Sequence, residues 1–197
     1  MLNQYSLSEF IDNIYSFLMT KLTMRQARFV RRPIYIRGQK SLSGCKGLTT
    51  GRFCRFDLDG EKSTLFIGEN CSMGELTHIV AHEKVIIGND VLFASKCFIS
   101  DTQHGQYKGD FQDAPEMPPN KRALTTKPVI IGNNVWIGEN VVILAGAVIG
   151  NGCVIGANSL VTKVIPDNCI VIGNSKIIKC WNESTKHWEK YNESITC

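Results

Sequence analysis

Ile131-Gly132-Asn133-Asn134-Val135-Trp136-Ile137-Gly138-Glu139-Asn140-Val141-Val142-Ile143 opens a stretch in which a branched residue returns at every sixth position, on through Ile149, Ile155 and Val161. The next residue is glycine at Gly132, Gly138, Gly150 and Gly156, with Leu144 and Thr162 as the exceptions. The fourth residue after each branched one is small or β-branched: Val135, Val141, Ala147, Cys153 and Ser159. A period of six fits neither the helical period of about 3.6 nor the alternation of a strand. It is the sign of a parallel β-helix, in which three units make one triangular coil of about eighteen residues. Ile131 is then expected to stack inside the coil on Ile149, Ile137 on Ile155 and Ile143 on Val161. The glycines are expected to turn the corners, where a residue without Cβ accepts a positive φ.

The same step runs upstream through Ile67-Gly68, Met73-Gly74 and Ile79, with Cys71 and Thr77 in the small slot. It slips between Ile79 and Ile87, then resumes through Ile87-Gly88, Phe93-Ala94 and Ile99-Ser100, with Val91 and Cys97 inward. Coils bury their inner residues only against neighbouring coils, so two blocks of repeats flanking an interruption make one domain. Function is expected at the interruption.

Composition agrees with a single unit. The chain has 197 residues, 43% hydrophobic and 20% charged, with a net charge of +4. No basic run is long enough to argue for nucleic acid. Cys45, Cys54, Cys71, Cys97, Cys153, Cys169, Cys180 and Cys197 show no paired or zinc-ribbon spacing. Cys71, Cys97 and Cys153 fall in the inward slot, where they act as small hydrophobes, which points to a reducing compartment, the cytoplasm. No signal peptide and no membrane span is legible.

Three regions lie outside the repeat, and they divide the chain into 1–31, 32–178 and 179–197. From about Ser6 to Val30, Leu7, Phe10, Ile11, Ile14, Phe17, Leu18 and Leu22 recur at helical spacing. That amphipathic helix is expected to pack on the β-helix or on a neighbouring subunit. Lys21, Arg25, Arg28, Arg31 and Arg32 follow it, which leaves peripheral docking at the inner membrane face as a second use. Residues 105–127 break the repeat with Pro115, Pro118 and Pro119, as functional loops do. Trp181 and Trp188 sit in a polar tail expected to be helical.

Three segments carry a family likeness: Ser100-Asp101-Thr102-Gln103-His104-Gly105, Lys127-Pro128-Val129-Ile130-Ile131-Gly132-Asn133-Asn134-Val135-Trp136-Ile137-Gly138 and Ile155-Gly156-Ala157-Asn158-Ser159-Leu160-Val161-Thr162-Lys163. Over roughly residues 60–179 the chain resembles hexapeptide acyltransferases of the left-handed β-helix class. It is similar to maltose and galactoside acetyltransferases and, more so, to bacterial O-acetyltransferases of surface polysaccharides such as O-antigen and colanic acid. Two departures stand out: Thr102 replaces a histidine frequent in the family, and the closing turn Gly173-Asn174-Ser175-Lys176 is short and lacks proline.

The resemblance implies transfer of an acetyl group from acetyl-CoA to a sugar or oligosaccharide hydroxyl, without a metal, in a homotrimer whose sites lie between subunits. It makes His104, at the point where coil gives way to loop, the general base, since an imidazole titrates near neutral pH. A base needs an orienting partner, and Asp101 and Glu75 are the two candidates. Ala157, Thr162 and Lys163 would line the pantetheine and adenine track beside Gly138, with Lys176 and Lys179 near the phosphates. Trp136 would wall this site or a subunit interface. Tyr107 and Phe111 would stack on a sugar ring, and Lys121 and Arg122 would meet an anionic acceptor or the cofactor.

Other readings are a small-molecule acceptor (a mono- or disaccharide or an antibiotic), a non-catalytic scaffold, and a zinc hydratase of the gamma carbonic anhydrase kind. The last would use His78, His82 and His104, but the first two histidines straddle the register slip and lack that family's spacing.

Overall fold

The computed structural model describes residues 5–191, leaving 1–4 and 192–197, Cys197 among them, outside the described residues. The chain winds as a parallel β-helix of about seven turns with three flat faces. The first face stacks strands from Phe29–Val30, Thr49–Thr50, Ser72–Met73, Leu92–Phe93, Trp136–Ile137, Val154–Ile155 and Cys169–Ile172. The second runs from Tyr35–Arg37 to Leu160–Val161, and the third from Leu42–Gly44 to Val164–Ile165. The expected stacking holds in register: Ile131 pairs with Ile149, Ile137 with Ile155 and Ile143 with Val161. All six side chains are buried, each contributing on the order of 2 kcal/mol by leaving water.

The corners work differently from the expectation. Gly132 and Gly138 do not have positive φ; a Cβ there would come within 2.8 Å of Asn151 N and 2.6 Å of Ala157 N, on the next coil. These glycines let coils approach one another. The left-handed position falls instead to Asn134, Asn140 and Asn158, with φ of 56°, 57° and 59°, a conformation in which asparagine is enriched. Other corner side chains tie coil to coil. Asn89 N donates to Asn133 Oδ1, Asn133 N to Asn151 Oδ1, and Asn151 N to Asp167 Oδ1, each at 2.8 Å.

The slip between Ile79 and Ile87 is a lengthened corner between the second and third faces. Its residues His82, Glu83 and Lys84 point their amides at the Asp101 carboxylate, at 2.8–3.1 Å.

The N-terminal helix spans Leu7–Thr23, shorter than expected, because Phe29–Val30 already belongs to the first coil. Ser6 and Glu9 close its start as a capping box. It packs on the solenoid, but through Ser16 and Thr20 rather than its apolar stripe. Ser16 Oγ accepts from Arg32 N at 3.0 Å, and Thr20 Oγ1 accepts from Val30 N at 2.9 Å.

Among the described residues the C-terminal extension is not helical. Lys176–Asn182 runs antiparallel to Cys169–Ile172 and turns back as His187–Lys190. The last coil presents a free strand edge, and pairing satisfies it. Trp181 and Trp188 face each other across the hairpin, ring centroids 5.5 Å apart.

Candidate active site

The chain leaves the solenoid after Phe98–Ser100 on the second face and returns at Val129–Ile131 on the third. Between them Thr102–His104 pairs antiparallel with Leu124–Thr126, so the interruption is a two-stranded arm rather than an irregular loop. Ser100 marks the exit, its hydroxyl accepting from Thr102 N at 3.1 Å. Gly105 follows His104 with φ of 97°, and a Cβ there would sit 2.8 Å from Tyr107 Oη. That contact and that φ both require glycine.

His104 lies at the end of the outgoing strand and is exposed. Its backbone is fixed by Tyr107 Oη, which donates to His104 O at 2.6 Å. Its ring makes no hydrogen bond or ion pair among the described residues, so both nitrogens are available. On the same arm, a pocket of about 260 Å³ is lined by Gln103, Gln106, Tyr107, Lys108, Thr125, Thr126, Lys127 and Ala145, with His104 itself outside the lining. Gln106 and Lys108 lie in no motif, and Gln103 and Lys127, though inside the family-like segments, are given no role by them. Gln106 and Lys108 follow the histidine closely in the chain, and Lys127 directly follows the returning strand Leu124–Thr126.

Arg122 and Tyr107 hold the arm together. The Arg122 guanidinium donates to Tyr107 Oη at 2.8 Å and to Met117 O at 3.0 Å, with further contacts to Ala114 O and Pro115 O. Phe111, at 90% exposure, stands clear of the rest. Lys121 closes the short 3-10 turn Pro119–Lys121.

The candidate orienting carboxylates are placed very differently. Asp101 is fully buried and its oxygens are occupied by the amides of residues 82–84. Glu75 is exposed, its carboxylate makes no hydrogen bond or ion pair among the described residues, and it lies at the corner between the first and second faces. It lines a pocket of about 440 Å³ with Arg31, Arg52, Asn13 and Ser95.

The remaining candidates divide between the same two edges. Thr162 and Lys163 are exposed at the corner between the second and third faces, the edge from which the His104 arm departs. Gly138 and Ala157 sit at the other corner, and Trp136, 54% exposed, on the first face between Leu92 and Val154. Lys176 and Lys179 are exposed on the hairpin beyond the last coil. One chain therefore does not bring all these residues into one groove. His78 bonds Asp57 Oδ2 at 2.9 Å on the second face, and among the described residues no three His, Cys, Asp or Glu side chains are gathered as a metal set.

A parallel β-helix of six-residue repeats, interrupted by a histidine-bearing arm, is the architecture of a hexapeptide-repeat acyltransferase. Residues 128–163 match the family model for the bacterial transferase hexapeptide, six repeats. Over 189 residues, 95% of this chain and 96% of the other, the sequence is 41% identical to WbbJ of Escherichia coli (strain K12), a protein named for O-acetyl transfer in lipopolysaccharide biosynthesis. A galactoside O-acetyltransferase of the same organism is 38% identical over 127 residues, 64% of this chain and 59% of the other. Among solved structures, AntD, an N-acyltransferase from Bacillus cereus crystallised with a dTDP-amino sugar and coenzyme A, superposes with a TM-score of 0.67 at 21% identity, covering 92% of each chain. A hexapeptide-repeat acetyltransferase from Vibrio cholerae, complexed with acetyl coenzyme A, gives 0.57 at 22% identity over 74% of this chain and 75% of that one. The chain belongs to the bacterial hexapeptide-repeat acyltransferases, in the company of their O-acetyltransferases.

Proposed function

We propose that this chain transfers the acetyl group of acetyl-CoA to a sugar hydroxyl in a bacterial surface polysaccharide or its precursor, working in the cytoplasm. The observation that carries the reading is the His104 imidazole, exposed and unpaired among the described residues, on an arm whose neighbouring residues Gln103, Gln106 and Tyr107 line a polar pocket. The near full-length likeness to the E. coli lipopolysaccharide protein supports the acceptor class. In the reaction, a ring nitrogen of His104 takes the hydroxyl proton as the oxygen attacks the thioester carbonyl. The new C–O bond forms, the C–S bond breaks, and the proton passes from the imidazolium to the departing thiolate. A thiolate is a good leaving group, so no covalent enzyme intermediate is needed. Corner amides would stabilise the oxyanion, and Lys163, Lys176 and Lys179 would serve the cofactor phosphates as point charges.

The test is release of free coenzyme A from acetyl-CoA against a panel of sugars and polysaccharide precursors. Turnover that depends on a precursor glycan supports the reading. Turnover only with a free galactoside would favour a small-sugar acceptor, and no acetyl-CoA binding would remove the activity altogether.

The division of candidates between two edges supports a homotrimer in which the arm edge of one copy meets the Glu75 edge of the next. Closed symmetry of this kind presents unlike patches to each other in a ring. Light scattering is expected to give about three times the chain mass of 22.0 kDa. An active monomer would end both the trimer and any role for a neighbour's Glu75.

Excising residues 107–122 and joining the arm with glycines is expected to leave the melting temperature nearly unchanged. The coils hold one another, and long surface segments contribute little to a core. Acceptor affinity should fall as the Tyr107 and Lys108 wall of the pocket is lost. Unchanged acceptor KM and specificity would make the arm an ornament.

A further inference from the structure

The N-terminal helix is fastened to the solenoid by the face that carries small polar groups. Ser16 and Thr20 are buried there, and Asp12 reaches Arg52 at 3.5 Å on the same side. At about 100° per residue, Leu7, Phe10, Ile11, Ile14, Phe17, Leu18 and Leu22 fall on the opposite side. The structure leaves all seven exposed, from 47% for Ile14 to 76% for Leu7. An apolar stripe running the length of a 17-residue helix, about 25 Å, is far more than scattered surface residues account for.

Charge identifies what covers it. The helix has two carboxylates, and neither lies on the stripe: Glu9 is committed to the Ser6 cap and Asp12 to Arg52. The cation Lys21 lies within the stripe, its ammonium 5.4 Å from the Phe17 ring. Arg25 and Arg28 are exposed just past the C-terminal end. Tyr15, 55% exposed, flanks the apolar side chains, with the amphipathic ring favoured where water meets lipid. A surface that is apolar and edged by cations, with no anion of its own, has no charge with which to pair the same stripe of a second copy and complements an anionic bilayer. No helix among the described residues is long and apolar enough to cross a membrane.

We infer that the Leu7–Thr23 helix docks the enzyme on an anionic membrane, with its apolar side sunk into the headgroup region and Lys21, Arg25 and Arg28 on the lipid phosphates. Such helices penetrate about 5–10 Å and bind through apolar area plus charge. The inference deepens the proposed function, on which its choice of acceptor rests: a glycan carried on a lipid in that membrane, presented to sites held at its surface.

The test is flotation of the full-length protein with vesicles of phosphatidylcholine alone or mixed with phosphatidylglycerol. Binding is expected to the mixed vesicles, to weaken with salt, and to be weak on phosphatidylcholine alone. Phe10→Glu with Phe17→Glu, and separately Arg25→Glu with Arg28→Glu, should each reduce it tenfold or more. As a substitution that spares the fold, Leu18→Trp should shift its emission to the blue on addition of the mixed vesicles. An unshifted emission, or equal binding by wild type and charge variants, overturns the proposal. So does a Phe10→Glu/Phe17→Glu protein whose mass by light scattering falls while vesicle binding persists, since a second copy would then cover the stripe. Coenzyme A release with a soluble acceptor, run in parallel, separates the two failures: lost transfer with intact flotation sinks the activity alone, and the converse sinks the docking alone.

Discussion

Replacing His104 by alanine is expected to lower the acetyl-transfer rate about a hundredfold or more while leaving acetyl-CoA binding nearly intact. A sugar hydroxyl is too weak an acid to attack a thioester unaided at neutral pH, and in the proposed reaction the His104 imidazole takes its proton. The side chain supports nothing else. Its ring has no partner among the described residues, and the arm is held by the His104 backbone and by Tyr107 and Arg122. The melting temperature should therefore not move. Near-normal turnover by the variant would take His104 out of the mechanism.

Asp101→Ala should show the opposite pattern, with stability lost first. The carboxylate is the shared acceptor for the amides of His82, Glu83 and Lys84, in a corner where those donors have no other partner. Leaving several buried donors unpaired costs about 3 to 5 kcal/mol, which corresponds to roughly 10 °C in melting temperature for a domain of this size. Asp101→Asn keeps one good acceptor oxygen and should fall by about half as much. Were Asp101 instead the partner that orients His104, Asp101→Asn would cut kcat severely with little change in melting temperature. Calorimetry beside kinetics on both variants decides between the two roles.

The inward stack was legible because it is a local pattern: Ile131, Ile137 and Ile143 announce their own slots at a fixed step. The function of the corner glycines was not, since Gly132 and Gly138 answer to backbone atoms a full coil away in sequence. The slip after Ile79 likewise has its cause at Asp101, a long-range partner that no window around the slip contains. The tail misled for a related reason. Strand formation at Lys176–Asn182 follows from the open edge it caps, and the polar composition around Trp181 and Trp188 carries no information about that edge. In the helix, periodicity located the apolar stripe but not its direction, which Ser16 and Thr20 decide by bonding Arg32 and Val30. His104 could be read as a candidate from its position at the end of a coil. The partition of the cofactor candidates between two edges could not, because it depends on how many residues each earlier corner uses.

The inward slots also make the protein its own probe of unravelling. Cys45, Cys54, Cys71, Cys97, Cys153 and Cys169 are free and buried, spread from the first coils to the last. Burial pushes the Cys45 thiol up to about 12 and those of Cys54, Cys97 and Cys169 to about 11, with Cys71 and Cys153 raised as well. Alkylating reagents attack the thiolate, so a closed coil hides its sulfur from iodoacetamide and an opened one surrenders it. The order in which those six positions acquire the label, followed by mass spectrometry, would trace the path by which the solenoid frays, end to end, without a single engineered residue.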